Sequence, residues 1–133
     1  MIFQQHINPL DSLGIGRKAL IEKWLDEMGI KNYTINDLTI DVNGYVHLYN
    51  KNLIKFPEYI QFNEVNGSFN NLISLRGCPK IVNYNFYCYS NLLESLEGCP
   101  ENVGNNFSCH HNKKHFTEEY IRKYCNIRQN IYC

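Results

Sequence analysis

The sequence has no surplus of charge of either sign. Lys and Arg together number 13, and Asp and Glu together number 13, so the formal net charge of the 133-residue chain is +0. A surface that binds the phosphates of nucleic acid normally carries an excess of basic side chains. The balance of charge therefore argues against nucleic acid as the main partner.

Long hydrophobic runs are also missing. No stretch is long enough to cross a bilayer, and the first residues lack the charged start and apolar segment that are typical of a secretory signal. We therefore expect no membrane partner and a cytoplasmic location. In that compartment the six cysteines would stay reduced, and those of the repeats would serve as small apolar residues of the core, whereas Cys125 and Cys133 fall outside the repeats.

The sequence lacks a phosphate loop, a nucleophile elbow and a metalloprotease helix. We predict no catalytic residue, no cofactor and no bound metal. Cys109, His110, His111 and His115 are ligand types that suit Zn²⁺, but they lack the paired spacing of a zinc finger. Metal binding by this cluster and a thiol enzyme built on Cys88 or Cys109 are the chemical alternatives that the sequence leaves open.

What the sequence contains is a repeat of 21 residues. This offset separates Val65 from Phe86 and Phe86 from Phe107. The same offset relates asparagines, leucines, glycines, cysteines and prolines, namely Asn70, Asn91 and Asn112, Leu72 and Leu93, Leu75 and Leu96, Gly77 and Gly98, Cys78 and Cys99, Cys88 and Cys109, and Pro79 and Pro100. A period of this size predicts a solenoid, in which each turn buries its apolar face against its neighbours.

One repeat unit reads apolar-x-apolar-x-x-Asn-x-Leu-x-x-Leu, as in Phe86, Cys88, Asn91, Leu93 and Leu96. The first two positions alternate and should face inward from a short strand. The Asn side chain can bond the free backbone groups of the turn and those of the next Asn in the stack. The first turn has the same pattern at an offset of 19 residues, through Val46, Leu48, Lys51, Leu53 and Phe56.

Helices are predicted at both ends of the repeats. An apolar stripe over residues 17–28 predicts the first helix, and Gly29 should end it in a left-handed conformation. Thr117 should begin the second, over residues 117–126. Both helices are expected to cover the open ends of the solenoid.

Between the first helix and the repeats, residues 38–42 alternate between apolar and polar types. Asn43 and Gly44 predict a type I′ turn, and residues 45–49 a second strand. These strands should form a hairpin at the edge of the sheet. The tail at residues 130–133 is expected to pair as a short strand or to fray.

The fold class predicted is therefore α+β. It is a short, leucine-rich-repeat-like solenoid with a mainly parallel sheet and a helix at each end. The single domain spans residues 1–133, with an N-terminal cap over 1–37, the hairpin and repeats over 38–112, and a C-terminal cap over 113–133.

The repeat residues resemble the leucine-rich-repeat pattern L-x-L-x-x-N-x-L. More narrowly, L-x-S-L-x-G-C-P-x-x-V followed by F-x-C-x-x-N is similar to small repeat proteins of bacteriophages and other large DNA viruses. That resemblance implies no catalytic residues and a viral accessory protein that binds and modulates a host protein, such as a defence component. A structural or virion-associated protein is the alternative. Lys51, Gly67 and Lys114 depart from the pattern.

The candidate binding residues are those that face outward from the strands. Alternation places there His47 and Tyr49, Asn66 and Ser68, Tyr87 and Tyr89, and Ser108 and His110. Tyrosine is enriched in interfaces, so we predict a protein-binding face formed by Tyr49, Tyr87, Tyr89, His110, His47, Ser68 and Ser108. The alternative is that the tyrosines only reflect β-propensity. The same face or a sheet edge could pair with a second copy of the chain.

Overall fold

The solenoid predicted from the repeat is confirmed. The structure, a computed structural model, describes residues 14–35, 40–56 and 60–133. In these parts the chain forms a β-solenoid of about 4 turns with mostly parallel sheet and 2 helices. The elements are α1 (Gly14–Glu27), β1 (Tyr33–Ile35), β2 (Ile40–His47), β3 (Ile60–Asn66), β4 (Ile81–Val82), β5 (Phe86–Tyr87), β6 (Asn102–Val103), β7 (Phe107–Ser108), α2 (Glu118–Tyr124), β8 (Asn126–Ile127) and β9 (Ile131–Tyr132).

The strands form two sheets. The larger has six strands in the order β1-β2-β3-β5-β7-β9, and the smaller has three in the order β4-β6-β8. β1 and β2 are antiparallel, and every other pair is parallel. Successive turns therefore add one strand to each sheet in the same direction.

The register of the larger sheet follows the sequence repeat. Val46 lies opposite Val65, Val65 opposite Phe86, and Phe86 opposite Phe107. In the last turn Phe107 lies opposite Ile131, because the segment that contains α2 lengthens that turn. Equivalent repeat positions therefore stack in columns along the solenoid.

The core lies between the two sheets and is filled by the inward positions of each turn. Phe86, Leu93 and Leu96 are buried, as the repeat predicts. Trp24 of α1 and Ile121 of α2 are fully buried in the same core. The apolar sides of both helices thus join the solenoid core.

The departures Lys51 and Lys114 do not disturb this packing. Both side chains are exposed at the turns. Near Lys114, the core is completed by Phe116, which is buried.

The predicted type I′ turn, and with it the predicted hairpin, is wrong. Asn43 and Gly44 lie within β2, which runs on to His47, and the pairing of β2 with β3 shifts between Val42 and Tyr45. Gly44 has a φ of 79°, so the dipeptide forms a bulge in a continuous strand. β2 instead pairs antiparallel with β1. Leu38, which was predicted to begin the hairpin, lies outside the described residues.

The helix boundaries are close to the prediction. α1 begins three residues earlier than expected, and Gly29 follows it with a φ of 74°. Thr117 is the N-cap of α2, and its hydroxyl accepts a hydrogen bond from the backbone N–H of Tyr120. The tail forms β9, which pairs with β7. None of the helices in the described parts of the chain combines the length and apolar character needed to span a bilayer.

Candidate functional site

An internal asparagine ladder fixes the ends of the strands. Oδ1 of Asn91 accepts hydrogen bonds from the backbone N–H of Asn70, at 3.2 Å, and of Leu72, at 3.0 Å. Nδ2 of Asn91 donates to the carbonyls of Gly67 and Cys88. Because one amide satisfies four backbone groups from two turns, the predicted ladder is confirmed and the strand ends are held rigidly.

A second ladder runs along the starts of the strands. The backbone N–H of Asn106 donates to Oδ1 of Asn85, and that of Asn130 donates to Oδ1 of Asn106, each at 3.0 Å. Nδ2 of Asn85 donates to Oε2 of Glu64 at 2.7 Å. This ladder was not predicted from the sequence, although an Asn precedes both Phe86 and Phe107.

A column of left-handed residues follows the strands of the larger sheet. Asn50, Phe69, Ser90 and His111 occupy equivalent positions and have φ values of 58°, 55°, 54° and 56°. Asn adopts this conformation readily, whereas a bulky side chain rarely does. Phe69 is therefore the unusual member of the column, and its side chain is 52% exposed.

Phe69 completes a continuous row of rings, here called the aromatic strip, formed by Tyr49, Phe69, Tyr89 and His110. The ring centroids are 6.2 Å apart from Tyr49 to Phe69, 5.5 Å from Phe69 to Tyr89, and 4.6 Å from Tyr89 to His110. The first two contacts are edge-to-face and the third is stacked. The strip crosses four successive turns, so it is built by the repeat itself.

The structure places the other predicted residues beside the strip. The ring of Tyr87 contacts that of Tyr89 at 6.4 Å. Burial, and then the nearby Glu64 carboxylate, raise the pKa of Tyr87, so its hydroxyl stays protonated. His47 is exposed but lies against Tyr45, at 4.2 Å between centroids, and not in the strip.

Two predicted contact residues are not accessible. Ser68 is 0% and Ser108 is 4% exposed, so the prediction that they lie on an open face is wrong. The N–H of Asn50 donates to the carbonyl of Ser68, and that of Phe69 to the carbonyl of Tyr89. Ser68 therefore lies between larger side chains of the neighbouring turns. Its hydroxyl is, within the described residues, the single buried side-chain polar atom without a hydrogen-bond partner.

The register places Ser108 opposite Tyr87 on one side and Tyr132 on the other. A short side chain between two tyrosines is shielded from solvent even though it points outward. Alternation predicts the direction of a side chain correctly here, but not its exposure.

The side chains that form the face around the strip are not ionic, although the Glu64 carboxylate lies close to Tyr87. Here the sheet face means the two outward rows and the left-handed column, which consist of His47, Tyr49, Asn50, Asn66, Ser68, Phe69, Tyr87, Tyr89, Ser90, Ser108, His110, His111 and Tyr132. None is Asp, Glu, Lys or Arg, although these types make up 20% of the chain. Burial, and then the proximity of His111, lower the pKa of His110, so its ring is neutral at pH 7.

The buried cysteines are poor nucleophiles. Burial raises the pKa of Cys109 and of Cys125 to about 12, and burial also raises that of Cys88. A nucleophilic or metal-binding cysteine needs the thiolate, which is disfavoured in this environment. Among the residues that the structure describes, no group of three or more His, Cys, Asp or Glu side chains could hold a metal ion.

A cavity of about 420 Å³ lies at the outer turns, away from the strip. It is lined by Phe56 and Ile73 together with the ion pair of Arg76 and Glu97, whose charged atoms are 2.8 Å apart. The pair is exposed to solvent on both sides, and such pairs contribute little to stability. The cavity shares no residue with the sheet face.

Comparisons with protein-family models, with curated proteins and with solved structures found no match to this chain.

Proposed function

We propose that the chain is a non-enzymatic protein-binding module and that the aromatic strip is the centre of its binding surface. The observation that carries the proposal is that Phe69 is exposed and has a left-handed backbone conformation. A bulky residue in the left-handed region costs on the order of 1–3 kcal/mol, and it persists where the surroundings or the function require it. Because Phe69 is 52% exposed, burial of its side chain within the chain offsets little of that cost.

The composition of the sheet face supports a protein partner. Tyr, Ser and His predominate, with two Asn, a single Phe at the centre and no ionic group. Antibody paratopes use a similar mixture, in which rigid aromatic rings supply contact area and short polar side chains supply hydrogen bonds. Depletion of charged residues is also typical of interface cores.

The ladders give this face a further advantage for binding. Ordering mobile side chains and loops on association costs about 0.5–1.5 kcal/mol for each immobilised side chain. The rings of the strip already contact one another, and the strand ends beneath them are tied by buried asparagines. A partner would therefore meet a preorganised surface.

The resemblance to viral repeat proteins suggests the partner. We propose a host protein, such as a defence component, which this chain would bind and modulate in the host cytoplasm. The architecture is proposed to be leucine-rich-repeat-like, with α1 and α2 closing the two ends. Closed ends would leave the sheet face as the main free surface of the solenoid.

A structural or virion-associated role is the alternative function. It would use the solenoid as a rigid element, and it gives no reason for an exposed Phe in a strained conformation. Nucleic-acid stacking on the rings is disfavoured because the sheet face has no basic side chain to hold phosphates.

Affinity capture from a host lysate tests the proposal with two strip variants. Phe69→Asn removes the ring and keeps a residue that tolerates the left-handed conformation, as Asn50 does at the equivalent position. Tyr89→Ser substitutes the residue found at the neighbouring position Ser68. Ile73→Ser is the control, since Ile73 is an exposed apolar residue away from the strip.

We expect the wild type and Ile73→Ser to retain the same specific host protein, and both strip variants to lose it. Retention of that protein by both strip variants would overturn the assignment of the surface. Capture of no host protein, together with incorporation of the chain into virions, would favour the structural alternative.

A further inference from the structure

His110 and His111 meet at one end of the sheet face. Their Nδ1 atoms are 2.5 Å apart, and their ring planes are inclined at 79° with centroids 4.8 Å apart. Two imidazole nitrogens can come this close when one of them carries a proton that the other accepts. The two Nδ1 atoms are therefore close enough for one small cation to contact both after a modest rotation of the rings.

We infer that His110 and His111 form a two-nitrogen chelate for one divalent late first-row transition-metal ion, of the kind that places its ligands at right angles. The ion would lie to one side of the line between the two Nδ1 atoms, and the ring that carries the shared proton would change to its Nε2–H tautomer. Water would complete its coordination on the open side, since His111 is exposed.

The backbone and the strip hold the two rings in place. The ring of His110 is stacked on Tyr89 with an interplanar angle of 15°. The carbonyl of His110 accepts hydrogen bonds from the backbone N–H of Ser90 and from Nδ2 of Asn112. His111 belongs to the left-handed column, and its ring contacts that of His110. The chelate is thus oriented by the fold before any ion arrives.

The geometry favours Cu²⁺ and Ni²⁺ over Zn²⁺. With metal–nitrogen distances of about 2.0–2.1 Å, ligands at right angles are about 2.9 Å apart, and tetrahedral ligands about 3.3 Å apart. The observed separation of 2.5 Å has to widen less for the first arrangement. Affinity for nitrogen ligands also falls from Cu²⁺ to Zn²⁺.

The side chains of the sheet face do not oppose a cation, since none is Lys or Arg, although the exposed Lys113 and Lys114 follow His111 in the chain. Cys109 is buried, so it is not a third ligand.

Calorimetric titration of the purified full chain with Ni²⁺ alone tests the inference. Ni²⁺ is the probe because Cu²⁺ would oxidise the exposed thiol of Cys133. His110→Phe keeps a ring against Tyr89 and removes the nitrogens. His111→Asn keeps a residue suited to the left-handed conformation. His47→Ala is the control, because His47 lies outside the pair.

We expect one equivalent of Ni²⁺ to bind the wild type and His47→Ala with the same Kd. Each variant of the pair should weaken binding at least about tenfold, because losing one ligand removes the chelate. Zn²⁺ should bind the wild type more weakly than Ni²⁺. Unchanged Ni²⁺ affinity in His110→Phe and His111→Asn would overturn the site, and Zn²⁺ binding as tightly as Ni²⁺ would overturn the assigned geometry.

Line broadening by Ni²⁺ in proton NMR gives a second measurement on unmutated protein. The ring protons of His110 and His111 should broaden first, and those of His47 later. Earlier broadening of His47 would contradict the site without any question of how a variant folds.

Discussion

A Cβ atom on Gly67 would lie 2.7 Å from Cζ of Phe56. Phe56 occupies the position that is leucine in the next two turns, Leu75 and Leu96. Gly67 occupies the position that is Cys88 one turn later. The larger ring fills the space that the missing side chain leaves, so the two departures from the repeat compensate each other within the core.

Gly67→Ala is therefore expected to destabilise the protein by about 1–3 kcal/mol, the usual cost of overpacking. The ring of Phe56 cannot move aside easily, because it is buried and packs near Phe62 and Phe86. Phe56→Leu in the same chain should make Gly67→Ala less costly. Urea unfolding of the two single variants and the double variant measures this coupling, and strict additivity would show that the two sites do not share space.

Asn91→Ala is expected to be among the most destabilising changes to a polar residue of the repeats. It removes the acceptor of the buried N–H groups of Asn70 and Leu72, whereas the carbonyls of Gly67 and Cys88 keep donors in Asn70 and Asn112. Each unsatisfied group costs about 1–3 kcal/mol, so unfolding under mild conditions is the expected result. Asn83→Ala is the matched control, because Asn83 is exposed and its side chain donates a hydrogen bond to the side chain of Asn63. Equal thermal stability of the two variants would contradict the ladder.

Ser68→Ala, in contrast, should raise the free energy of unfolding. Its buried hydroxyl lacks a hydrogen-bond partner, so removing it relieves a desolvation cost. We expect a gain of about 1 kcal/mol in the free energy of unfolding. Ser90→Ala, at a half-buried position of the left-handed column, is the comparison. A clear loss of stability in Ser68→Ala would mean that the hydroxyl makes a bond in solution.

The stability of the fold should also depend on pH through His110. Its folded pKa lies below the ordinary value of 6.5, because burial and His111 both disfavour the charged ring. The unfolded chain therefore binds the proton first, and the contribution of His110 is present above pH 6.5 and is lost as the pH falls through the folded pKa. His110→Phe should lose less stability than the wild type between pH 7.5 and 5.5, as measured by urea unfolding.

In the same experiment His111→Asn should raise the pKa of His110, which NMR titration of the ring protons reports directly. An unchanged or lower pKa in that variant would show that the two rings do not interact in solution. A loss of stability in His110→Phe as large as in the wild type would assign the pH dependence to other groups.

The sequence was sufficient for the parts of the fold that repeat. One Asn in each turn must reach the backbone of the turn before it, so the spacing of Asn70, Asn91 and Asn112 sets the register. The bulge at Gly44 was not predictable in this way, because Asn-Gly is a turn signal only when the strand ends there. In this chain β3 continues alongside β2, and this long-range pairing decides the local conformation.

The exposed aromatic strip was predicted less completely. Alternation identified Tyr49, Tyr89 and His110, since the direction of a side chain follows from the strand alone. It missed Phe69 because the left-handed column has four different residue types and no compositional signal. It wrongly predicted that Ser68 is exposed, because exposure depends on the size of the neighbouring side chains in other turns.

The proposed binding of a protein partner by the aromatic strip has one decisive measurement. It is the affinity of the captured host protein for the wild type, Phe69→Asn and Ile73→Ser at low and high salt. We predict at least about tenfold weaker binding for Phe69→Asn, as expected for a central aromatic contact, and no change for Ile73→Ser.

The wild-type affinity should also vary little with salt, because the sheet face carries no ionic side chain. Equal affinity of Phe69→Asn and the wild type, or binding that is lost at high salt in both, would contradict the account.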